Sequence, residues 1–179
     1  MTGGTRLHLA RRLAAVVLLL PAASANAANA AVPSTNSAIC VRPNAEECQS
    51  SIGFGWSDCE GDEARWIDHL EADVLFDLGG VSDAELTFTA APLYLDWRRQ
   101  VVGVYVNSHF VKEWLCPDNG DFHDYQVLIP AGFLKQGRNV LTFRMAYQRN
   151  QPPDRRELSL NVKRIIIQPL TSPGRAGAR

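Results

Sequence analysis

The sequence lacks several features that would directly indicate a function. It has no basic excess, with 18 Lys and Arg against 19 Asp and Glu in 179 residues, which argues against a nucleic-acid binder. It has no C-x-x-C pair, and its histidines stand at no recognisable ligand spacing, so no metal site of the zinc type is predicted. No G-x-S-x-G, H-E-x-x-H, P-loop or G-x-G-x-x-G motif occurs, and we therefore predict that the protein is not an enzyme.

The sequence also lacks an apolar run long enough to cross a bilayer, which needs about 20 residues. One apolar run, residues 13–20, follows three arginines and precedes several A-x-A triplets. A basic start, a short apolar core and small residues at the end are typical of a secretory signal peptide. We predict that residues 1–30 form this signal and that the mature protein is secreted or periplasmic, with no membrane insertion after cleavage.

Charge is distributed unevenly along the remaining chain. Residues 31–124 carry 17 acidic and 5 basic side chains, whereas residues 125–179 carry 2 acidic and 10 basic ones. One interpretation is two surfaces of opposite sign, of which one meets a charged partner. The interpretation that we favour is that early and late strands lie side by side, so that their charges face each other.

Cysteine is scarce, and its four positions all follow the predicted signal: Cys40, Cys48, Cys59 and Cys116. Disulfides persist in the oxidising compartments to which export leads. Four cysteines allow three connectivities. We favour the pairs Cys40 with Cys48 and Cys59 with Cys116, while a free reactive thiol is the alternative.

Apolar residues alternate with polar ones in short segments after residue 51. The segments are 72–78, 86–90, 101–115, 125–129, 139–147 and 158–167. Such alternation predicts β-strands, and short strands separated by turn residues predict an all-β fold, an antiparallel β-sandwich. We expect an irregular segment over 31–51, the sandwich over 52–168 and a flexible tail over 169–179.

Two details of these strands are predicted as well. The apolar positions step by three between Val162 and Ile165, as they do at a β-bulge. The hairpin in 101–115 turns at Asn107 and Ser108, where the usual Gly is missing. We therefore expect a turn longer than two residues.

Three sequence blocks resemble, in their order, the galactose-binding-like jelly-roll β-sandwich domains of bacterial proteins that handle polysaccharides and other glycans. The blocks are Gly55-Trp56-Ser57 with Glu60 and Arg65-Trp66, then Val104-Tyr105-Val106-Asn107 with Ile129-Pro130 and residues 134–141, then residues 154–159. The resemblance covers about residues 52–168. It implies the jelly-roll form of the sandwich and carbohydrate binding.

The motif residues Trp56, Glu60, Trp66, Asp154 and Arg156 have two interpretations. The two indoles could form a platform for a sugar ring, with Glu60 as its polar anchor. The interpretation that we favour is structural: the indoles close one end of the sandwich, and Glu60 lies within ion-pair reach of Arg156.

A second group of aromatic and cationic residues is the predicted carbohydrate-binding site. Tyr94, Trp97, Arg98 and Arg99 fall in a loop between two strands, and loops carry function on a rigid scaffold. Trp114 stands at the far end of the hairpin and could join them. The alternatives are a Trp97 folded back over the core and a Trp114 packed at the end of its strand.

An oxygen-rich turn, residues 118–121 with Asp124 nearby, offers ligands to a structural calcium ion. Its spacing does not match an EF-hand loop. A plain turn is the interpretation that we favour, and no cofactor is predicted.

These patterns together predict an exported, non-catalytic β-sandwich that binds carbohydrate, a cell-envelope or exopolysaccharide glycan. The alternative is a structural or protein-interaction module of an envelope assembly without a glycan site. A small glycan-active enzyme is the third hypothesis, because the separation of paired carboxylates is a property of the folded molecule.

Overall fold

The computed structural model describes residues 37–59, 63–150 and 152–171, and in these ranges the chain is built mainly of β-strands. The strands are β1 (Ile39–Val41), β2 (Arg65–Ile67), β3 (Glu71–Leu78), β4 (Ala84–Pro92), β5 (Val101–Val106), β6 (His109–Leu115), β7 (His123–Ile129), β8 (Gly137–Met145), β9 (Arg149–Asn150), β10 (Glu157–Leu158) and β11 (Leu160–Pro169). Two short 3-10 helices span Glu46–Ser51 and Ala131–Phe133. None of the helices in these ranges is both long and apolar enough to cross a bilayer. The predicted signal peptide lies outside the described residues.

The strands form two main sheets. The five-stranded sheet has the order β1-β11-β4-β7, with β2 also paired to β11, and the four-stranded sheet has the order β3-β8-β5-β6. Strands β9 and β10 make a separate small pair. Every pairing in both sheets is antiparallel, which confirms the predicted all-β, antiparallel fold.

Alternating side chains of the two sheets meet in one apolar core. On β3 every second residue from 72 to 78 is buried, and β4 shows the same alternation. Phe88 from the five-stranded sheet stacks on Tyr125 at 4.8 Å and meets Phe143 of the four-stranded sheet edge-on at 5.0 Å. Fully burying a side chain such as Phe or Leu stabilises the fold by about 1.5–3 kcal/mol, so this shared layer holds the two sheets together.

The predicted β-bulge in the last strand is confirmed. The register between β11 and β4 shifts between Val162 and Arg164. Lys163 and Arg164 are both exposed, whereas Val162 and Ile165 on either side of them are buried. The extra residue therefore restores the apolar alternation of the strand while it places two consecutive cations on the solvent side.

The hairpin turn between β5 and β6 has two residues, so the expected longer turn is wrong. Val106 pairs with His109, and both Asn107 (φ 48°) and Ser108 (φ 70°) adopt the left-handed conformation of a type I′ turn. The side chain of Asn107 donates from Nδ2 to the carbonyl of Phe133 at 2.8 Å. This contact fixes the turn without glycine.

The segment expected to be irregular, 31–51, contains β1 and the first 3-10 helix. Val41 is buried, and β1 pairs with β11 with Ile39 opposite Ile167. A strand of three residues shows too little alternation to be recognised in the sequence. It becomes a strand because the edge of β11 supplies its hydrogen bonds.

The predicted disulfides are absent, and all four cysteines are free thiols. Cys116 is fully buried in the core, where burial raises the pKa of its thiol. Cys59 is exposed, with its Sγ at 3.1 Å from the carbonyl oxygen of Asn44. The Sγ of Cys48 accepts a hydrogen bond from the Arg42 backbone instead of bonding to Cys40. The pairs Cys40 with Cys48 and Cys59 with Cys116 are therefore corrected to four separate thiols.

Candidate functional site

The loop of residues 93–100 joins β4 to β5, with Leu93, Leu95 and Gln100 buried and the other five residues exposed. Leu93 and Leu95 are buried with Leu158 in a small apolar cluster that is separate from the main core. Tyr94 and Trp97 remain 54% and 58% exposed. The leucines therefore hold the loop down while the aromatic rings face outward.

A buried glutamine fixes the end of this loop. The side chain of Gln100 donates from Nε2 to the carbonyls of Tyr147 (2.6 Å) and Ser159 (3.1 Å). Its Oε1 accepts from the backbone N–H groups of Val101 and Tyr147, both at 3.1 Å. Leu93 donates from its backbone to the same Ser159 carbonyl at 3.1 Å. Because these buried polar groups are all paired, the loop has a defined backbone.

Arg99 ties the loop to the end of β6. Its Nε donates to the carbonyl of Cys116 at 2.6 Å, and its Nη2 donates to that of Leu115 at 3.1 Å. Arg99 was predicted as part of the binding loop, and the structure gives it this anchoring contact.

Trp97, Arg98 and Tyr147 form a stacked group on the surface, here named the Trp97 cluster. The guanidinium carbon of Arg98 lies 3.2 Å from the centroid of the Trp97 ring and 4.4 Å from that of Tyr147. The two rings meet edge-on at 5.7 Å. A guanidinium over an aromatic face is favourable by about 0.5–1 kcal/mol at exposed sites, so the indole is held in position before any ligand arrives.

Two other residues of this loop, Asp96 and Tyr94, have contacts of their own. Asp96 forms an ion pair with Arg149, and both side chains are more than two-fifths exposed. Tyr94 lies next to the oxygen-rich turn, where a Cβ placed on Gly120 would be 3.8 Å from the Tyr94 Cβ. Sequence reasoning did not find Tyr147 or Arg149, because the link between β8 and β9 and the start of β9 are far from Trp97 in the chain.

Trp114 does not join this group. It is half-buried and packs against the main core, with its ring 5.4 Å from Phe88 and 5.8 Å from Tyr125, both edge-on. Its position in β6 opposite Val102 directs it between the sheets. This geometry agrees with the alternative interpretation of Trp114, that it packs at the end of its strand.

The first motif block packs against β3. Gly55 has φ +86°, and a Cβ there would lie 1.9 Å from the carbonyl oxygen of Glu71. Trp56 is half-buried against the core and donates from Nε1 to the carbonyl of Asp73 at 2.8 Å. Trp66 packs against the cluster of Leu93, Leu95 and Leu158. Both indoles of this block therefore have packing contacts, Trp56 with the main core and Trp66 with the small separate cluster.

The third motif block forms a local ion pair. Nε of Arg156 donates to both carboxylate oxygens of Asp154, at 3.1 and 3.0 Å. The hydrogen bonds from Arg156 lower the pKa of Asp154 to about 2. Glu60, the predicted partner of Arg156, lies outside the described residues, so that pairing stays a prediction.

The second motif block is a hydrogen-bond network around the buried side chain of Asn139. Its Oδ1 accepts from the Lys135 backbone (3.0 Å) and from Nδ2 of Asn107 (2.8 Å). Its Nδ2 donates to the carbonyls of Lys135 and Gly137, both at 2.8 Å. These contacts join the hairpin turn to the start of β8, which is a structural role for this part of the motif.

The oxygen-rich turn satisfies its own side chains. Asn119 donates from Nδ2 to Asp121 at 2.8 Å, and its Oδ1 lies 3.0 Å from Nε2 of His123. Asp124 accepts a hydrogen bond from Thr89. In the described ranges, no three His, Cys, Asp or Glu side chains are arranged to hold a metal ion.

Comparisons with known proteins give structural likenesses only. No family model and no curated protein matches the sequence. The structure is similar to a family 35 carbohydrate-binding module from an environmental isolate, with 19% identity and a TM-score of 0.40 over 68% of this chain and 81% of that one. It is also similar to the CBM36-1 domain of a multidomain xylanase from the hindgut metagenome of Trinervitermes trinervoides, with 8% identity and a TM-score of 0.49 over 76% and 100%.

A third similar structure is a ruminal GH26 endo-β-1,4-mannanase, with 15% identity and a TM-score of 0.49 over 76% of this chain. The chain spans about a quarter of that enzyme, 26% of its length. The structural neighbours thus include carbohydrate-binding modules, the class of sandwich that the sequence blocks resemble. With identities of 19% or less and TM-scores of 0.49 or less, they assign no ligand to this chain, and the sandwich itself rests on the strand pairing.

Proposed function

We propose that this protein is an exported, non-catalytic β-sandwich that binds a cell-envelope or exopolysaccharide glycan through the Trp97 cluster. The observation that carries the proposal is the 58% exposed indole of Trp97 on an anchored loop. The basic and apolar pattern of residues 1–30 supports export.

The geometry of the cluster suits a sugar ring. One face of a pyranose carries C–H groups, which pack on an indole, while its hydroxyl groups need donors and acceptors at the edge. Asp96, next to Trp97 in sequence, and its ion-pair partner Arg149 supply such groups. Tyr94, itself exposed, adds a hydroxyl group from the same loop. Because Arg98 and Tyr147 already hold the indole, little side-chain freedom is lost when a ligand binds, and this favours affinity.

A glycan array with matched variants tests the proposal. Trp97→Ala removes the platform, whereas Phe110→Ala removes a comparably exposed aromatic residue on β6. We expect the wild type and Phe110→Ala to bind the same glycans, and Trp97→Ala to bind them at least tenfold more weakly, which is a loss of about 1.4 kcal/mol. Unchanged binding by Trp97→Ala would disprove the assignment of the site.

A protein-interaction module is the second candidate function. Phe110 and Leu115 are 54% and 57% exposed on β6, an outer strand of the four-stranded sheet. Phe110 also meets Tyr105 edge-on at 5.4 Å. An exposed aromatic side chain on an outer strand, paired with a second ring, is the observation that favours this function. A wild type that binds no glycan, combined with capture of an envelope protein that Phe110→Ala abolishes, would favour this function over the first.

A further inference from the structure

A groove of about 640 Å³ lies on the outer side of the five-stranded sheet. Its walls come from β4, β7 and β11, and from the turn that follows β1. None of the residues that line it belongs to the Trp97 cluster. Its volume is within the range of about 300–1,000 Å³ that is usual for small-molecule sites.

The β-bulge in β11 creates the cationic wall of this groove. An unbroken strand would direct Lys163 and Arg164 to opposite faces of the sheet. The register shift between Val162 and Arg164 instead leaves both side chains exposed on the groove side. Bulges often re-aim side chains at functional sites. Arg42, from the turn after β1, adds a third cation to the same groove.

The charges in the groove are only partly neutralised. Lys163 forms an ion pair with Glu63, and Asp124 accepts a hydrogen bond from Thr89. In the part of the chain that the structure describes, neither Arg42 nor Arg164 has a carboxylate within ion-pair distance. Lys163 lowers the pKa of the Glu63 carboxyl, and Arg42 lies near enough to contribute to this, so Arg42 is partly neutralised. Arg164 carries no ion pair among the described residues.

An aromatic ring stands beside these cations. Phe122 is 45% exposed, and Nζ of Lys163 lies 6.0 Å from its ring centroid. The groove thus combines an apolar face, hydrogen-bonding side chains such as Thr89, and two guanidinium groups, those of Arg42 and Arg164.

We infer that this groove is a second binding site, separate from the Trp97 cluster, and that it takes an acidic saccharide whose carboxylate pairs with Arg42 or Arg164. The planar guanidinium matches a carboxylate with two parallel hydrogen bonds. Phe122 packs on the C–H face of the sugar, and the side chains of Thr89 and Asp124 meet its hydroxyl groups.

The balance of charge favours a saccharide over a nucleic acid or an anionic membrane. The groove holds three cations but also two carboxylates, those of Glu63 and Asp124. A polyphosphate would meet both carboxylates and be repelled by them. In a sugar with one carboxylate per ring, that carboxylate binds the guanidinium groups of the protein. The hydroxyl groups of the sugar donate hydrogen bonds to the carboxylates of Glu63 and Asp124.

Calorimetric titration at low salt tests the inference, with trisaccharides of galacturonate, glucuronate and mannuronate as probes. Each probe is compared with its carboxyl-reduced, neutral counterpart. The variants are Arg164→Gln and Arg42→Gln in the groove, with Arg138→Gln as the control. Arg138 is also exposed but lies on β8 of the other sheet, paired with Asp77.

We expect at least one uronate to bind, and its neutral counterpart to bind at least tenfold more weakly. Arg164→Gln or Arg42→Gln should weaken uronate binding at least tenfold, while Arg138→Gln and Trp97→Ala leave it unchanged. Loss of uronate binding in Trp97→Ala would move the site to the Trp97 cluster and overturn the inference. A Trp97→Ala variant that loses neutral glycans but keeps the uronate supports both sites.

Three further results would overturn the inference. They are the absence of binding to all three uronates, equal binding of the acidic and neutral probes, and equal competition by a DNA oligomer or by phosphatidylglycerol vesicles. Thermal unfolding of each variant separates a lost contact from a lost fold. Because Arg42 and Arg164 are exposed, we expect their variants to unfold at the wild-type temperature.

Discussion

Two tryptophan-bearing segments of this sandwich, residues 55–57 and 93–100, use the same side chain in opposite ways. Trp56 packs against the core and donates its indole N–H to a backbone carbonyl of β3. Trp97 lies on the surface, with a guanidinium over its ring and a second aromatic ring edge-on to it. The indole of Trp56 stabilises the fold, whereas the indole of Trp97 is held in place by its neighbours and stays exposed to solvent.

The neighbours of each indole explain the difference. Gly55 lets the chain approach β3 closely enough for the Trp56 ring to reach the core. In the other segment, Leu93 and Leu95 fill the apolar space beneath the loop and leave Trp97 outside it. A tryptophan is therefore a candidate for binding when smaller apolar neighbours already anchor its segment.

The largest loss of folding stability is expected from Gly55→Ala, because this substitution disrupts the packing of the segment that carries Trp56. A Cβ at this position would clash with the carbonyl of Glu71, and the positive φ adds strain. We expect the free energy of unfolding to fall by about 3 kcal/mol or more. Urea unfolding measures it, with Gly80→Ala as the control, because a Cβ at Gly80 meets nothing within 4 Å. Equal stability of the two variants would contradict the proposed close packing.

The two tryptophans can be compared directly by substitution. Trp56→Ala removes a packed ring and one of the two donors to the carbonyl of Asp73, the other being the Gly53 backbone N–H, so we expect a loss of about 3 kcal/mol. Trp97→Ala should cost less than about 1 kcal/mol, since its ring is largely in solvent. Urea unfolding of both variants gives the two values. Similar losses in the two variants would remove the distinction between the segments.

Gln100→Ala tests whether the loop that carries Trp97 depends on its buried anchor. The side chain of Gln100 holds this loop from inside and is not part of the exposed Trp97 cluster. The substitution leaves the carbonyl of Ser159 and the backbone of Tyr147 short of buried partners, at a cost of about 2 kcal/mol. We also expect weaker glycan binding, measured by calorimetry at a temperature where the variant is folded. Gln126→Ala, at an exposed glutamine on β7, is the control. Glycan affinity that does not change would show that the loop keeps its shape without this anchor.

The smallest effect on folding stability is expected when the ion pair of Asp154 with Arg156 is removed. This pair lies near neither tryptophan in sequence. The pKa of Asp154 is lowered from 3.8 to about 2 in the fold by its hydrogen bonds to Arg156. The folded state therefore binds this proton less readily than the unfolded chain, so the stabilisation is complete above pH 4 and is lost as the pH falls toward 2. Asp154→Asn should flatten that part of the stability profile, measured by thermal unfolding between pH 2 and 5. A profile identical to that of the wild type would assign the acid sensitivity to other carboxylates.

The long strands could be predicted from the sequence because alternation over seven or more residues is distinctive. Strand β3 shows this clearly, and the step between Val162 and Ile165 was enough to locate the bulge. Strand β1 could not be found, since a three-residue strand is defined by its partner β11. The two-residue turn at Asn107 was missed because its stability comes from a contact with Phe133, which is distant in sequence.

The candidate site could be predicted in part. Tyr94, Trp97 and Arg98 are neighbours in sequence, so their shared loop was visible in advance. Tyr147 was not, because it reaches Trp97 only when β8 and the loop after β4 come together. The groove between Arg42 and Arg164 was hidden for the same reason. Cysteine pairing depends on similar long-range geometry, and the count of four cysteines led to the wrong expectation.

The pairing of β1 with β11 determines which end of the sandwich would face a polypeptide joined to it. Ile39 lies opposite Ile167, so the first strand enters beside the point where the last one leaves. At that end of the sheet Pro169 pairs with Ala84, whereas Leu160 pairs with Pro92 at the other end, where β4 leads into the Trp97 loop. The nine residues of β4 separate the two ends by about 27 Å. A tether joined next to Ile39 or to Pro169 would therefore hold the sandwich at the end of the sheet opposite the Trp97 loop.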